Sequence, residues 1–275
     1  MTYKQIIKKY ASFLKNVTHI PQKEVEILLL YILQKNIIWL HLNINDECKC
    51  EKELKKLVKK RATNYPIEYI TNNVNFYGEQ FYINEGVLIP RPETELLVQK
   101  AQETLKTITK PKVLEIGVGS GIISIMLALL IKDIKIVAVD INDKALKLAK
   151  KNAKYHKVEE KIFFLKSDLF KNIKKDEKFD MCISNPPYIK NNYNLPNNVK
   201  YEPSDALFGG LNGDEILKKI IDETYNRKIK YLYCEMGYDQ KESLSNFLIN
   251  YQTNRVDFYK DYSNFDRGFC VEFTT

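Results

Sequence analysis

The segment Asn185-Pro186-Pro187-Tyr188 is the part of this 275-residue chain whose residue types and spacing point most directly to chemistry. It follows an apolar run, residues 179–184, that is typical of a buried strand. Proline cannot extend the hydrogen-bond ladder of a sheet and restricts the backbone, so the Asn185 side chain and the Pro186 carbonyl are predicted to be fixed acceptors at a strand end. Two such acceptors can orient a planar NH2 group for attack on an electrophile. Taken alone, an Asn-Pro pair also indicates an ordinary turn.

A glycine-rich loop lies between a strand and a helix upstream of this segment. Residues 112–116, with apolar Val113, Leu114 and Ile116, indicate a short buried parallel strand, and the pattern of residues 122–130 predicts a helix. The loop Gly117-Val118-Gly119-Ser120-Gly121 joins them, where glycines let a ligand approach the backbone and the helix N-terminus supplies N–H donors. A dinucleotide fingerprint needs its third glycine at the position of Ile122, so a nicotinamide or flavin cofactor is disfavoured.

Acidic residues are predicted at the ends of the next two strands. Asp140 ends the first of them, where its carboxylate could accept hydrogen bonds from both hydroxyls of a ribose. Asp168 and Leu169 follow the second, where Leu169 could carry an adenine ring and Asp168 could reach its amino group. Either aspartate by itself would indicate a helix cap or a turn. In order at successive strand ends, they indicate a nucleoside cofactor that borders Asn185. Because there is no pyrophosphate signature, we expect S-adenosylmethionine and methyl transfer to a planar nitrogen.

From about Pro66 to its C-terminus, the chain resembles the N(5)-glutamine methyltransferases that act on peptide chain release factors. The most specific match is the segment Leu88-Ile89-Pro90-Arg91-Pro92-Glu93-Thr94-Glu95. The other matching segments are Pro66 to Ile70, Glu115 to Gly121, Asp140, Ser184 to Ile189, Tyr201-Glu202-Pro203, Ala206-Leu207, Gly209-Gly210, Glu235-Met236-Gly237 and Gln240. Val118 and Leu169 differ from residue types frequent in the family, which bears on affinity for the cofactor rather than on its identity.

The resemblance implies that the protein methylates the glutamine of the Gly-Gly-Gln tripeptide in class-I release factors, with S-adenosylmethionine as the methyl donor. Asn185 would accept one hydrogen of the glutamine amide and the Pro186 carbonyl the second, with Pro187-Tyr188 close to the substrate. Arg91 and Glu93 would shape the wall of the substrate pocket at a domain junction, or would instead form a salt-bridged elbow there.

Two other functions fit parts of the sequence. An amino methyltransferase acting on adenine or guanine in RNA or DNA also needs acceptors for an exocyclic NH2 group, and it would stack a flipped base on Tyr188. Such enzymes generally lack the segment Ile89 to Glu95. A non-catalytic module that binds a translation factor would use the cofactor only to stabilise its fold, and the intact Asn185 argues against it.

The fold predicted from these patterns is α/β, with a small N-terminal helical bundle, a β-hairpin linker and a doubly wound, Rossmann-like methyltransferase domain whose sheet is mostly parallel. Residues 1–72 are assigned to a helical substrate-docking domain. Residues 73–90 form the hairpin linker, and residues 91–275 form the methyltransferase domain.

Individual elements follow from periodicity and turn residues. Helices in the bundle are predicted over residues 3–13, 21–33, 37–42 and 51–63. Late strands at residues 231–234, near 256–259 and at 269–273 are expected to complete the sheet, with the antiparallel edge that this methyltransferase fold usually has. The polar residues 191–198 suit a mobile lid or an ordinary exposed loop.

The net charge of +8 is concentrated near the N-terminus. Residues 1–72 hold 13 basic and 7 acidic side chains, hence +6 of that total. A basic helical module could dock an acidic or RNA-containing partner. Lysines between residues 52 and 60 also fit the solvated face of an amphipathic helix. We expect a release factor as the protein partner and no direct requirement for nucleic acid.

Composition argues against several other classes of protein. The chain has no run of about 18 apolar residues and no apolar signal segment at its start, so we expect a cytoplasmic protein without a membrane partner. We also expect a monomer. Five cysteines, an odd number, are expected to be reduced. No second Cys or His pair accompanies Cys48-x-Cys50, so no metal site is predicted.

Overall fold

The computed structural model describes residues 1–274, which form two compact units. The first comprises Met1–Asn73 together with Leu195–Tyr201. The second comprises Val74–Asn194 and the described residues from Glu202 onward. Each unit has a buried apolar core of its own.

The first unit contains five α-helices among its described residues: α1 Tyr3–Ala11, α2 Pro21–Leu33, α3 Ile37–Leu42, α4 Glu51–Arg61 and α5 Ile67–Thr71. Thr2 and Gln5 form a capping box that begins α1, and Asn36 caps α3. The predicted bounds of α2 and α3 are confirmed. Helices α1 and α4 each end two residues earlier than predicted, within the usual uncertainty at helix ends.

A buried ion pair lies inside the first unit. The Arg61 guanidinium donates to both carboxylate oxygens of Glu24, at 2.7 and 3.1 Å, and both side chains are less than a tenth exposed. Leu195–Tyr201, which include the end of the polar segment 191–198, also belong to this unit. The Tyr201 hydroxyl donates to the Thr63 carbonyl at 3.0 Å, and the rings of Tyr201 and Tyr65 pack edge to face.

A β-hairpin, β1 Asn73–Phe76 and β2 Glu79–Tyr82, precedes the main sheet. Tyr77 and Gly78 between the strands both have positive φ, 54° and 80°, as a tight two-residue hairpin turn requires. Phe76 and Phe81 are buried in the core of the second unit. The predicted hairpin is present, and its aromatic residues pack as part of the second unit.

The remaining strands are β3 Lys112–Ile116, β4 Lys135–Asp140, β5 Ile162–Lys166, β6 Met181–Ser184, β7 Ile189–Lys190, β8 Phe208–Gly210, β9 Tyr231–Glu235, β10 Thr253–Lys260 and β11 Asp266–Phe273. Seven of them form one sheet in the order β10-β11-β9-β6-β3-β4-β5, and β7 pairs with β8 separately. Strand β11 is antiparallel to both of its neighbours, whereas β9, β6, β3, β4 and β5 pair in parallel. The predicted antiparallel edge and mostly parallel sheet are confirmed.

Helices cover both faces of this sheet because residues of the inner strands alternate between two cores. One core joins Val113, Ile136 and Met181 to α6 Thr94–Leu105, α7 Ile122–Leu130 and α8 Asp143–Tyr155. The other joins Leu114, Val137 and Cys182 to α9 Glu215–Asn226 and α10 Lys241–Leu248. The chain order reverses around β3, between β4 and β6, so the carboxyl ends of these strands border the crevice where such folds bind ligands. No helix within residues 1–274 is long and apolar enough to cross a membrane.

Candidate active site

The glycine loop between β3 and α7 is open on one side. Gly117 and Gly119 have φ of 74° and 54°, and apart from the adjacent residues no heavy atom lies within 4 Å of where a Cβ on either would stand. Gly121 is different, because its Cβ would lie 3.0–3.2 Å from Ile125 and Ala149. The first two glycines therefore leave room for a ligand beside the backbone, and the third lets helices α7 and α8 approach each other.

Glu115 ties the strand before this loop to the helix after it. Its Oε2 accepts hydrogen bonds from the backbone N–H of Ser124, at 3.1 Å, and from the Ser124 hydroxyl. Burial raises the pKa of Glu115 to about 8, against the opposing effect of those two hydrogen bonds. The carboxyl group is therefore largely protonated at neutral pH.

A cavity of about 320 Å³ opens at the carboxyl ends of the central strands, within the second unit. The predicted site residues that line it are Gly117, Gly119, Asp140, Asp168, Leu169, Asn185, Pro186 and Pro187. Within the described residues, the predicted site residues outside its lining are Val118, Ser120, Gly121, Tyr188, Arg91 and Glu93. The structure thus brings the ends of four strands, β3, β4, β5 and β6, together around one cavity of the size expected for a small ligand.

Asp140 has structural partners as well as a face toward the cavity. Its Oδ2 accepts from the backbone N–H of Gly119 and its Oδ1 from that of Asn142, both at 2.9 Å. Burial raises the pKa of Asp140, and the two backbone hydrogen bonds act in the opposite direction. Each carboxylate oxygen retains a second acceptor site. The predicted contact with a ribose is compatible with these bonds and stays a prediction.

Leu169 lies in a left-handed backbone conformation, with φ of 49°, that is unfavourable for a branched side chain. The Ser167 hydroxyl holds this turn, since it donates to the Leu169 carbonyl at 2.8 Å and accepts from the Asn172 N–H at 3.0 Å. Asp168 beside it forms an exposed ion pair with Lys171 at 2.5 Å. The turn thus sets Leu169 against the cavity, and Asp168 remains accessible to a ligand.

Asn185 is held by residues that the sequence analysis did not assign to the site. Parallel pairing of Ser184 with Cys234 places Asn185 next to Glu235, each at the carboxyl end of its strand. Asn185 Nδ2 donates to the Thr94 hydroxyl at 3.1 Å, and Thr94 donates to Glu235 Oε2 at 2.7 Å. Since Asn185 lines the cavity, its Oδ1 is the end of the amide available to a ligand there.

Tyr188 does not line the cavity, and its hydroxyl is bonded to Glu235. The hydroxyl donates to Glu235 Oε1 at 2.9 Å, and burial raises the pKa of Tyr188. Its carbonyl accepts from Gln240 Nε2 at 2.9 Å. A Cβ at Gly209 would lie 2.5 Å from the Pro187 carbonyl, so only glycine fits behind the proline pair. These contacts fix the path of the segment after Asn185.

Arg91 belongs to an ion pair inside the second unit. Its Nη2 lies 2.6 Å from Glu202 Oε1, and the other carboxylate oxygen accepts from the Ile89 N–H at 2.9 Å. Glu202 is buried, so this pair anchors the segment that leads into α6. Glu93 is the residue before that helix and makes no side-chain capping bond to it. A substrate role for either residue stays a prediction.

The sequence left other contributors to the cavity unassigned. Asn142 caps α8 with its side-chain oxygen, donates from Nδ2 to the Gly86 carbonyl at 3.0 Å and lines the cavity. Asp205 and Lys219 line it as well. Thr94 and Glu235 lie in segments that match the resembled family, and this match is the sequence signal that could have assigned them to the site. Within residues 1–274, no group of three or more His, Cys, Asp or Glu side chains could hold a metal ion.

A mostly parallel sheet, an open glycine loop and an acidic residue at the next strand end define a Rossmann-like, S-adenosylmethionine-dependent methyltransferase. Family models match residues 5–71, described as PrmC N-terminal domain, and residues 92–200, described as methyltransferase small domain. A release factor glutamine methyltransferase of Buchnera aphidicola is 35% identical over 268 residues, covering 94% of this chain and 95% of its own. One from Aquifex aeolicus is 33% identical over 265 residues, covering 94% of each chain. The chain belongs to the release factor glutamine methyltransferase family.

Solved structures share the fold at much lower sequence identity. The human METTL16 catalytic domain in complex with a MAT2A 3′UTR hairpin has a TM-score of 0.59 at 18% identity, over 71% of this chain and 76% of its own. A 16S rRNA N2 G1207 methyltransferase of T. thermophilus, in complex with AdoMet and guanosine, has a TM-score of 0.53 at 15% identity, over 74% and 50%. At this identity the likeness concerns the fold alone.

Proposed function

We propose that the protein methylates the side-chain amide nitrogen of the glutamine in the Gly-Gly-Gln tripeptide of class-I peptide chain release factors. The observation that carries this proposal is the Asn185 amide, whose NH2 end is bonded to Thr94 while its oxygen remains available at the cavity. A fixed oxygen acceptor suits a substrate NH2 group. Membership of the release factor glutamine methyltransferase family supports the choice of substrate.

The residues around the cavity fit S-adenosylmethionine. The space beside Gly117 and Gly119 admits a ligand against their backbone. Asp140 would accept from the ribose hydroxyls, Leu169 would lie against the adenine and Asp168 would receive its amino group. When bound, S-adenosylmethionine supplies an activated methyl: the sulfur–methyl bond breaks as the nitrogen–carbon bond forms, sulfur keeps the electron pair, and the nitrogen releases one proton to water.

The protein's part in the reaction is to orient the glutamine amide. Asn185 Oδ1 accepts one amide hydrogen and the Pro186 carbonyl accepts the other, so that the nitrogen lone pair faces the methyl group. Holding two reactants in a productive orientation is worth about 7–11 kcal/mol in favourable cases. No covalent bond between enzyme and substrate is needed, because the methyl group arrives already activated.

We also propose that residues 1–72 dock the release factor and that the enzyme acts in the cytoplasm, as a monomer without nucleic acid. The support for docking is the charge of this segment, +6 of the total +8. The lysines of α4 are exposed along one face, whereas Leu54 and Val58 of the same helix are buried. An exposed basic face attracts acidic partners over a range set by the salt concentration.

Methyl transfer to purified substrates tests the proposed function. Labelled S-adenosylmethionine would be incubated with a class-I release factor, with a release factor whose Gly-Gly-Gln glutamine is replaced by alanine, and with rRNA and DNA. We expect label only in the unaltered factor, with mass mapping placing the methyl group on that glutamine. Label in RNA or DNA instead would establish the amino methyltransferase of nucleic acids as the correct assignment.

A further inference from the structure

Two hydrogen bonds, through Thr94, link Asn185 to Glu235, a buried carboxylate that does not line the cavity, and a third joins Tyr188 to the same carboxylate. Asn185 Nδ2 donates to the Thr94 hydroxyl, Thr94 donates to Glu235 Oε2, and the Tyr188 hydroxyl donates to Glu235 Oε1. Thr94 is fully buried and Glu235 is 1% exposed, so water does not compete for these groups. The three bonds join the start of α6, the segment after β6 and the end of β9.

The single proton of the Thr94 hydroxyl gives this chain of bonds a direction. An ionised carboxylate only accepts, so the Thr94 proton must point to Glu235. Thr94 can then only accept from the amide, and it selects the NH2 end of Asn185. The Asn185 oxygen is left for the substrate, where it meets a hydrogen of the glutamine NH2 group.

A proton on Glu235 Oε2 would reverse the direction. The carboxylic acid would donate to Thr94, Thr94 would donate to Asn185, and the amide would turn its oxygen toward Thr94. Asn185 would then present NH2 to the NH2 group of the substrate. Two donors cannot form a hydrogen bond, so this arrangement would lack the acceptor that orients the reacting nitrogen.

We propose that Glu235, acting through Thr94, is a positioning residue that determines which end of the Asn185 amide faces the substrate. This inference rests on the proposed function, because it concerns the orientation of an NH2 substrate. It goes further in assigning a role to a carboxylate that touches neither cofactor nor substrate. Ionised Glu235 corresponds to the active orientation.

Several charged or titratable groups face Glu235 from the surrounding elements: Arg91 and Glu93 before α6, Tyr188 after β6, Tyr259 on β10 and Arg267 on β11. Burial raises the pKa of Glu235, and the hydrogen bonds from Thr94 and Tyr188 together with the charge of Arg267 oppose that shift. As pH falls, Glu235 therefore takes up a proton, and loses its active, ionised form, at a higher pH than an ordinary glutamate does. As pH falls, kcat should decrease through this pKa.

The test compares Thr94→Val, which removes the hydroxyl at nearly constant volume, with Thr94→Ser, which keeps it. At saturating S-adenosylmethionine and a Gly-Gly-Gln peptide, we expect Thr94→Val to lower kcat at least tenfold and Thr94→Ser to restore most of it. The acid limb of the kcat profile should persist in Thr94→Ser and vanish in Thr94→Val. Thr104→Val is the matched control, since Thr104 lies on the same helix and bonds Tyr233 instead.

Two measurements besides turnover complete the test. Calorimetry should give unchanged affinity for S-adenosylmethionine in Thr94→Val. In the wild-type protein, the Asn185 side-chain NH2 resonances should shift with pH at the midpoint of the acid limb of kcat. This second measurement stands even if Thr94→Val does not fold.

The outcomes separate the two proposals. A wild-type enzyme that does not methylate release factor refutes the proposed function. The positioning role alone is overturned if the wild-type enzyme methylates release factor but folded Thr94→Val retains its kcat. It is also overturned if the wild-type enzyme is active and the Asn185 resonances do not shift with pH.

Discussion

Both units of the molecule bury a carboxylate in an ion pair, Glu24 with Arg61 in the first and Glu202 with Arg91 in the second, but the second unit also buries carboxylates whose partners are neutral. In the first unit, Arg61 and Glu24 neutralise each other in a bidentate ion pair. In the second unit, Glu235 is bonded to the neutral hydroxyls of Thr94 and Tyr188, and Thr94 connects it to Asn185 at the cavity. Glu115 is similarly bonded to a hydroxyl and a backbone N–H.

With the positioning role proposed for Glu235, this difference separates structural from functional polar groups. The Arg61–Glu24 pair contributes to one folded arrangement, and its remaining buried donor, Arg61 Nη1, has no hydrogen-bond partner. A buried carboxylate with neutral partners keeps a perturbed pKa and can influence a neighbouring site, a pattern that is common around active sites. Substitutions in the two units should therefore give different losses: stability in the first and turnover or cofactor affinity in the second.

The largest expected effect is on the stability of the first unit. Arg61→Met leaves Glu24 buried without its partner, and breaking a buried pair in this way costs about 3–5 kcal/mol. Hydrogen exchange of amides in α2 and α4 would measure the loss. The control is Lys9→Met, which breaks the exposed pair with Glu51 and should cost about 0–1 kcal/mol. Equal losses in the two variants would contradict the comparison.

The next largest effect is on turnover. Asn185→Ala removes the preorganised acceptor, and loss of one such group costs about 2.7–4 kcal/mol of transition-state stabilisation, on the order of a hundredfold to a thousandfold in kcat. Affinity for S-adenosylmethionine should largely survive, as measured by calorimetry. Near-normal turnover would remove Asn185 from the catalytic role.

Cofactor affinity should respond less strongly. Asp140→Ala removes a charged acceptor, and a hydrogen bond to a charged group contributes about 1.5–3 kcal/mol, so Kd for S-adenosylmethionine should rise at least about tenfold. Asp143→Ala is the matched control, because Asp143 is exposed and pairs with Lys166. If affinity is unchanged in Asp140→Ala, the Asp140 carboxylate serves only to accept hydrogen bonds from the backbone N–H groups of Gly119 and Asn142.

Docking through the first unit predicts a smaller, salt-dependent effect. Reversing the exposed α4 lysines in the triple variant Lys52→Glu, Lys56→Glu and Lys59→Glu should lower kcat/KM for intact release factor several-fold more than for a Gly-Gly-Gln peptide. The same change at the exposed α8 lysines Lys147, Lys150 and Lys154 is the control. Equal losses on protein and peptide would exclude docking by α4.

The last prediction concerns how the stability of the second unit depends on pH. The pKa of Glu115 is raised to about 8, so between about pH 4.5 and 8 the native state keeps a proton that the unfolded state has released. The free energy of unfolding should therefore fall as pH rises through that window. Glu115→Gln should flatten this dependence in denaturant titrations at several pH values. An unaltered slope would show that Glu115 is ionised in the native state.

Local patterns predicted the parts of the fold that depend on neighbours in sequence. Helix α2 begins at its proline, α7 begins after the last glycine of the loop, and the hairpin turns at Gly78. The buried strands follow from their apolar runs. The cavity also followed, because carboxyl ends of parallel strands meet at one edge of the sheet, which brings Gly117, Asp140 and Asn185 together.

The sequence by itself thus determined the class of fold and the strand ends that meet at the cavity, whereas the acceptor role of Asn185 stays a prediction. Only the tertiary structure decided which residues hold that acceptor, because Thr94 lies 91 residues from Asn185 and 141 from Glu235 along the chain. Local sequence patterns could not predict the pairing of Arg61 with Glu24 either. Hydrogen bonds between distant segments depend on strand order and helix packing, and periodicity within one segment does not encode a partner in another.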